Sequence, residues 1–192
     1  MTCAITDRPE PQTLETLSGK LPHIQQSPRV EGTLALIVRR PHVDAREVLP
    51  EGELNLLEGL AGDTWNTRGS SRTPDGSAHL DMQLNLMNVR VIEAIAGSMK
   101  RWPLAGDQLY VDLDLSQTNV PPGTRLSFGD AVIEITPQPH RGCDKFAARF
   151  GVDALKFVNS PDGRLMGLRG VNAKVIRPGR VRAGDTVTKM LF

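Results

Sequence analysis

The sequence predicts a mainly β fold, a barrel with a few short helices at its periphery. Short apolar runs of strand-like composition recur along the chain, whereas helical periodicity is confined to brief segments. Gly-Asp pairs separate the runs: Gly106-Asp107, Gly129-Asp130 and Gly184-Asp185 each come directly before one, as in turns between strands. Short strands punctuated by such turns are typical of a barrel, and one domain accounts for most of the chain.

The N-terminal part of the chain differs from the rest in composition. Residues 1–30 are rich in Pro, Thr, Ser and Gln, which predicts an extended arm with room for one short helix near Thr13. Residues 31–192 form the predicted domain. Its first element is the apolar run 33–39, which predicts a buried strand that ends before Pro41.

The remaining elements follow from periodicity and from residues that begin or end helices. Leucine and methionine alternate with polar residues over residues 80–86, which predicts a strand. Asn88 is a candidate cap for a helix whose apolar positions repeat every three or four residues until Gly97. Asp144 is a candidate cap for a second helix that Gly151 ends. Further strands are predicted at residues 108–112, 125–128, 132–136, 172–176 and 186–190.

Composition narrows the range of functions and compartments. Hydrophobic residues make up 39% of the 192 residues, and the formal net charge of +1 favours neither a nucleic-acid partner nor an acidic one. Because the chain has no apolar run of about 18 residues and no secretory signal at its start, we expect a cytoplasmic protein without a membrane partner. The two cysteines are Cys3, in the arm, and Cys143, an arrangement that argues against a disulfide.

Cys143 is the strongest candidate for a chemical role. His140, Arg141 and Lys145 lie within three residues of it, and positive neighbours stabilise a thiolate. The start of the helix predicted at Asp144 would favour the anion further. A thiolate is the form that attacks, carries sulfur or binds a soft metal. The alternative is a buried, inert cysteine, and the residues by themselves leave both interpretations open.

The residues near Cys143 allow several roles. His140 could orient or deprotonate the thiol, or face solvent. His140 and Cys143 could instead form half a zinc site, but no second Cys/His pair has metal-finger spacing. Arg141 and Lys145 could hold a phosphate or another anion, or be solvated charges.

Two other segments contain weaker candidates. Residues 66–79 form a long polar loop, and a long loop inside a compact domain often has a function. Its Arg68 and Arg72 are candidates for the same anion, and Asn85, on the polar face of its predicted strand, is a candidate to reach the site.

A series of motifs follows in a fixed order from Gly32 to Met190 and covers roughly four-fifths of the chain. The matching segments are Arg39-Arg40-Pro41 and residues 59–63, 83–86, 104–115, 121–136, 143–145, 169–175 and 181–187. This order resembles the MOSC domain, named for the C-terminal part of molybdenum-cofactor sulfurases. The resemblance implies a twisted β-barrel of the MOSC type, similar to the pyruvate kinase barrel.

The resemblance also implies a role for Cys143. In the family, the cysteine at this position either ligates the molybdenum of the molybdenum cofactor (molybdopterin) or is proposed to carry sulfur as a persulfide. Cys143 is therefore the implied catalytic residue and metal ligand. The residues singled out above from their chemistry and position are then the candidates to bind the cofactor: His140, Arg141, Lys145, Asn85 and Arg72.

The chain departs from the family in three respects. The sulfurases place a pyridoxal-phosphate cysteine desulfurase before this domain, and thirty N-terminal residues have no room for one. The amidoxime-reducing relatives have a further N-terminal β-barrel domain that helps enclose the cofactor. Gly142 precedes Cys143, so the paired-cysteine form of the motif is absent.

Three functions therefore remain open. The first is a protein that binds the molybdenum cofactor or carries sulfur on Cys143, with molybdopterin or a sulfur-donor protein as partner. The second is a molybdenum-dependent reductase of N-hydroxylated compounds with a separate electron donor. The third is a non-catalytic ligand-binding barrel in which Cys143 is structural.

Overall fold

The computed structural model describes residues 10–191, so the prediction for Cys3 lies outside the described residues. Within that range the strands are β1 (Glu31–Arg39), β2 (Glu47–Leu49), β3 (Glu51–Asn55), β4 (Gly59–Leu60), β5 (Leu84–Asn88), β6 (Leu109–Asp112), β7 (Arg125–Phe128), β8 (Ala131–Ile135), β9 (Val171–Arg177), β10 (Gly179–Arg182) and β11 (Thr186–Lys189). The α-helices are α1 (Leu14–Ser18), α2 (Leu21–Ile24), α3 (Val89–Ala96), α4 (Asp144–Phe150), α5 (Val152–Asn159) and α6 (Pro161–Leu165). Short 3₁₀ helices lie at Trp65–Thr67, Leu80–Met82 and Met99–Ala105.

Seven strands close into a mixed barrel, as the sequence predicts. The order around it is β1-β6-β5-β9-β8-β7-β11, and β11 pairs with β1 to complete the circle. β5 and β6 are parallel, and the other neighbouring pairs in the barrel are antiparallel. β2 extends the sheet beyond β1, while β10, β3 and β4 form a separate three-stranded sheet.

The apolar run in β1 is continuous because both faces of this strand are buried. Leu34 and Ile37 belong to the core inside the barrel, whereas Leu36 and Val38 pack in a second core on its outer surface. The pairing register of β1 with β6 shifts between Leu34 and Leu36, which is the mark of a bulge. Residues two apart in a regular strand share one face, so this bulge is what allows Leu34 to face the inner core while Leu36 packs in the outer one.

The helices cover one outer side of the barrel and enclose the second core. α3 begins at Asn88, whose side chain accepts hydrogen bonds from the backbone N–H groups of Arg90 and Val91, and it ends before Gly97, as predicted. The N-terminal arm contributes to the same core through Leu17 and Ile24, both buried. Between residues 10 and 191, no helix has the length and apolar character needed to cross a membrane.

The predicted strand over residues 80–86 is wrong in its first half. Leu80–Met82 form a 3₁₀ helix, and the His79 side chain accepts a hydrogen bond from the backbone N–H of Asp81 at its start. Leu80 is 52% exposed, so the alternation that suggested a strand does not correspond to burial on one face. The strand begins only at Leu84. The residue before it, Gln83, has a fully buried side chain that forms hydrogen bonds with the backbone of Leu56 and Val175.

The other predicted strands are confirmed with small shifts at their ends. The sequence analysis did not find β2, β3, β4 and β10, or the helices α2, α5 and α6. The missed strands lie where charged residues and glycines interrupt the apolar alternation, and each has five residues or fewer.

Candidate functional site

Cys143 occupies the cap position at the start of α4 and is exposed. The loop 136–143 brings the chain to this point from the end of β8. The backbone carbonyl of Cys143 accepts hydrogen bonds from Phe146 and Ala147, which fixes its main chain to the first turn of the helix. Asp144 is the first helical residue rather than the cap, contrary to the prediction. The sulfur is therefore accessible and is not sealed among aliphatic side chains.

The Cys143 side chain lines a cleft of about 190 Å³ whose walls are strongly cationic. We call this the Cys143 cleft. Among the described residues, five arginines and one lysine line it, with Asp44 as the one carboxylate. The cationic residues are Arg40, Arg46, Arg68, Arg149, Arg169 and Lys145. Guanidinium groups that converge on a cleft are suited to bind phosphate and similar anions.

Arg40 is held rigidly at the base of the cleft. Its guanidinium donates to both carboxylate oxygens of Asp63, at 2.9 and 2.6 Å, and its backbone N–H donates to the same carboxylate. The remaining terminal nitrogen, Nη1, donates to the carbonyl of Gly106 and to Asn85. Burial would raise the pKa of Asp63, but the hydrogen bonds and charge of Arg40 outweigh it and hold the pKa below its usual value.

Arg169 is fixed on the other side of the cleft by a similar arrangement. Nη1 donates to both oxygens of the fully buried Asp107, at 2.9 and 2.8 Å, and Nη2 donates to the carbonyl of Ala105. The guanidinium carbon lies 5.0 Å from the centre of the Phe146 ring, within cation–π range. Burial raises the pKa of Asp107, although Arg169 opposes this effect.

The cations of the cleft repel one another. Partial burial lowers the pKa of Arg46, and the charges of Arg149 and Arg40 lower it further. Arg68 lies at the rim as an exposed residue, and the partial burial of its guanidinium and the charge of Arg40 lower its pKa. Because like charges are gathered here with a single carboxylate among the lining residues, a bound anion would relieve the repulsion.

The peptide before Cys143 is fixed by a single side chain. Asn159, the last residue of α5, accepts a hydrogen bond from the Gly142 N–H and donates one to the Gly142 carbonyl, both at 3.0 Å. A β-carbon on Gly142 would lie 2.7 Å from Leu155 Cδ1 and 3.1 Å from Val158 Cγ2. Only glycine allows α5 to approach this closely, so Gly142 sets the distance between α5 and the loop that carries Cys143.

His140 and Arg141 line a different cavity from Cys143. This second cavity has a volume of about 320 Å³ and lies on the other side of Arg169, which lines both. Burial, together with the charges of Arg169 and Arg40, lowers the pKa of His140 well below the ordinary value for histidine. The imidazole is therefore neutral near pH 7 and adds no positive charge beside the sulfur.

Of the other candidates from the sequence, only some line the cleft. Lys145 lines it together with Cys143. Asn85 does not line it but bonds to Arg40, which does, and donates to Asn172 in the second cavity. Arg72 lies outside both cavities and donates to Gln138 at 2.9 Å. Roles for these residues in cofactor binding stay predictions.

Of the five arginines that line the cleft, sequence reasoning named only Arg68 as a candidate and assigned no site role to the other four. Arg40 and Arg169 stand in two of the matched motifs, and Arg46 and Arg149 lie in other segments. The signal available was Arg40 before Pro41 and Asp63 after Gly62, but nothing in the sequence brings the two side chains together. Folding does so by placing the end of β1 beside the turn after β4.

The donor set of the cleft limits how it could hold a metal. No group of three or more His, Cys, Asp or Glu side chains suited to a metal ion occurs between residues 10 and 191. A bare ion therefore lacks a ligand cage here. A metal that arrives with its own ligands and needs one soft protein donor fits better, because Cys143 offers an exposed sulfur beside cationic groups.

Comparison with known proteins agrees with the fold. The profile of the MOSC domain family matches residues 75–188, and a search among curated proteins finds no match. The crystal structure of the YuaD protein from Bacillus subtilis superposes with a TM-score of 0.60 at 15% identity, over 82% of this chain and 94% of that chain. YiiM from Escherichia coli gives a TM-score of 0.53 at 18% identity, over 83% and 70% of the two chains. YiiM from Geobacillus stearothermophilus gives 0.55 at 14% identity, over 84% and 75%.

Proposed function

The chain belongs to the MOSC domain family, and we propose that its Cys143 cleft binds the molybdenum cofactor, with Cys143 as the protein ligand to molybdenum. In this proposal the arginines of the cleft hold the phosphate of the cofactor. The predicted fold class is shown by the closed barrel and by the similar structures, whereas the assignment of the cofactor is our inference.

One observation carries the proposal: an exposed thiol opens into the same cleft as five arginines and one lysine. A soft sulfur donor and a set of anion-binding groups are the two features that a molybdenum centre with a phosphorylated organic ligand requires. The lack of a three-ligand metal cage in residues 10–191 is compatible with a cofactor that brings most of its own ligands.

Each residue of the cleft has a distinct part in this proposal. Arg40 and Arg169 are immobilised by Asp63 and Asp107, which balance their charge, so these two arginines fix the shape of the cleft rather than act as free donors. Within residues 10–191, Arg68 and Lys145 form no ion pair, so their side chains are free to turn toward an anion. Asn159 holds the Gly142 peptide and so fixes the position of the sulfur. When bound, the cofactor would supply two-electron redox chemistry at molybdenum.

A second candidate is the carriage of sulfur as a persulfide on Cys143. The exposure of the thiol favours it, because a sulfur-transfer partner must reach the sulfur directly. The surrounding cations would stabilise the anionic persulfide as they would a thiolate. The small volume of the cleft, about 190 Å³, is also sufficient for one additional sulfur atom.

Metal analysis tests the first candidate. The protein is produced in a host that makes the molybdenum cofactor, and molybdenum and released pterin are measured per chain. We expect molybdenum and pterin in the wild type, and Cys143→Ser should lose most of the molybdenum. The control Arg180→Gln, which changes an exposed residue of β10, should retain the molybdenum. Wild-type molybdenum in Cys143→Ser, or neither molybdenum nor pterin in the wild type, would contradict cofactor binding at this cleft.

Intact-mass measurement separates the second candidate from the first. A persulfide adds the mass of one sulfur atom, is removed by a thiol reductant and is absent from Cys143→Ser. If this mass is found without molybdenum, the protein carries sulfur. If molybdenum is found, reduction of a hydroxylamine by the loaded protein and an electron donor then tests the reductase function.

A further inference from the structure

The second cavity differs from the Cys143 cleft in both size and polarity. Its volume is about 320 Å³, and it lies between the loops 115–122 and 136–141 and the segment 163–172, which runs from the end of α6 to the start of β9. Leu115, Val120, Ile135, Val158 and Val171 contribute apolar side chains to its lining. No aspartate or glutamate lines it among the described residues. Its volume falls within the range of small-molecule sites, and most of these are lined by apolar groups.

His140 presents one ring edge to this cavity. The other edge is buried: Nδ1 is inaccessible to solvent and lies 3.5 Å from an oxygen of the fully buried Asp107. A carboxylate at this position favours the tautomer that carries its proton on Nδ1. The contact with Asp107 is electrostatic, because Nδ1 makes no hydrogen bond within residues 10–191. Nε2 then has a free lone pair, and no hydrogen bond to it is formed by the described residues. The His140 side chain is 13% exposed and lines the cavity, so Nε2 provides a hydrogen-bond acceptor there.

Two cations at the rim complete the site. Arg141 and Arg164 both line the cavity and are exposed residues. Within the described part of the chain, neither side chain has an ion pair or a hydrogen bond. Arg169, by contrast, is neutralised by Asp107. The neutral polar residues Gln117, Thr136, Gln138 and Asn172 also line the cavity. It thus combines mainly apolar walls, a neutral acceptor at depth and two unpaired positive charges at its mouth.

We propose that this cavity binds an organic monoanion whose apolar body bears a hydroxyl or ring N–H group. The anion lies between Arg141 and Arg164, the apolar body fills the space beside Leu115 and Val158, and the polar hydrogen is donated to His140 Nε2. The site is separate from the Cys143 cleft and does not depend on the function proposed for that cleft, although Arg169 forms part of the wall between them.

Aromatic acids provide matched probes for the three parts of this site. 4-Hydroxybenzoate has the anion, the ring and the donor; benzoate lacks the donor, and 4-hydroxybenzamide lacks the charge. We expect 4-hydroxybenzoate to bind with a dissociation constant on the order of 1 mM and each of the others about tenfold more weakly. Calorimetry or ligand-observed NMR at neutral pH measures these affinities on the full chain.

Variants locate the bound probe. Arg164→Gln should weaken 4-hydroxybenzoate about tenfold, since it removes one of two charges that face the anion. His140→Leu should abolish the preference for 4-hydroxybenzoate over benzoate. If this variant does not fold, the preference measured in the wild type tests the same contact. Arg68→Gln, in the other cleft, and Arg180→Gln serve as controls and should leave affinity unchanged.

Three outcomes would overturn the proposal. The first is no binding of any aromatic acid. The second is equal affinity for 4-hydroxybenzoate and benzoate in the wild type, because the His140 contact would then be absent. The third is a loss of affinity in Arg68→Gln as large as in Arg164→Gln, because the anion would then occupy the Cys143 cleft.

Discussion

The side-chain amide of Asn159 forms two hydrogen bonds, each of 3.0 Å, with the backbone N–H and carbonyl of Gly142. This pairing replaces the contacts that a neighbouring strand would provide, and it ties the end of α5 to the loop that carries Cys143. The position of the sulfur therefore depends on a residue sixteen positions later in the sequence, one that does not line the Cys143 cleft.

Asn159→Ala should destabilise the protein by about 1–3 kcal/mol, because it leaves the partly buried amide and carbonyl of Gly142 without partners. Urea unfolding measures this change, and the rate of iodoacetamide alkylation reports the altered setting of Cys143. Asn66→Ala is the matched control, since Asn66 is exposed and its side chain has no hydrogen bond within residues 10–191. Equal effects of the two substitutions would show that the Asn159 pairing does not position Cys143.

Gly142→Ala should destabilise the protein by about 1–3 kcal/mol through overpacking against α5. The added β-carbon would lie 2.7 Å from Leu155 Cδ1, so the helix or the loop must shift. Gly19→Ala provides the comparison, because the nearest atom to its β-carbon is 3.4 Å away and its backbone is helical. If Gly142→Ala and the wild type unfold at the same denaturant concentration, the contact with α5 does not require glycine at position 142.

Asp63→Asn should destabilise the protein by about 3–5 kcal/mol, because it leaves the buried guanidinium of Arg40 without its carboxylate. The same ion pair predicts acid sensitivity. The pKa of Asp63 is lower in the folded state than the value of about 3.9 in the unfolded state, so its contribution is present above about pH 4 and is lost as the pH falls through the folded pKa. Unfolding measured from about pH 5 to about pH 3 should show this loss in the wild type and a shallower one in Asp63→Asn.

His140 predicts a pH dependence in a different range. Its pKa in the folded state lies well below the value of about 6.5 expected in the unfolded chain, so only the unfolded state binds this proton as the pH falls. Stability should therefore decrease below about pH 6.5, by at most about 1.4 kcal/mol per pH unit from this residue. His140→Gln should flatten that part of the curve, whereas Asn66→Ala keeps the wild-type slope. Identical slopes in His140→Gln and the wild type would exclude a buried neutral His140.

Phosphate should stabilise the protein, because it would bind the folded cleft and offset the repulsion among its arginines. At about one hundred times its dissociation constant, the gain in unfolding free energy is about 2.7 kcal/mol. Arg68→Gln should reduce this gain. Without phosphate, the variant should have at least the unfolding free energy of the wild type, because it removes a charge that Arg40 and Arg46 repel. Thermal unfolding with and without phosphate measures both effects, and an unchanged phosphate response in Arg68→Gln would contradict an anion site at the cleft.

The elements that the sequence predicted well are those governed by local pattern. The apolar run of β1 and the Asn88 cap with the Gly97 end of α3 depend on residues within one segment, and they were confirmed. The 3₁₀ helix at Leu80–Met82 was missed because its leucine and methionine imitate a strand, while the Gln83 side chain, which ends it, bonds to residues far away in sequence.

In the candidate site, too, the features that depend on neighbouring residues were predicted, and those that depend on distant segments were missed. Cys143 could be singled out from its neighbours, and its exposure is consistent with that choice. The charges around it were assigned to His140, Arg141 and Lys145 by proximity in sequence, but only Lys145 shares the cleft. Arg40 and Arg169 come from distant segments, and the carboxylates that fix them are identified only by the folded chain.

The closure of the barrel through β1 and β11 has a consequence during synthesis. Gly32 pairs with Val187, so the ring cannot close until the ribosome has delivered β11, about 150 residues after β1 is made. Until then the apolar interior between the open edges stays accessible to chaperones and to other nascent chains. A message cut short before the codon for Thr186 would thus yield a polypeptide that contains Cys143 and all the cationic residues around it, but lacks the seam that closes the ring.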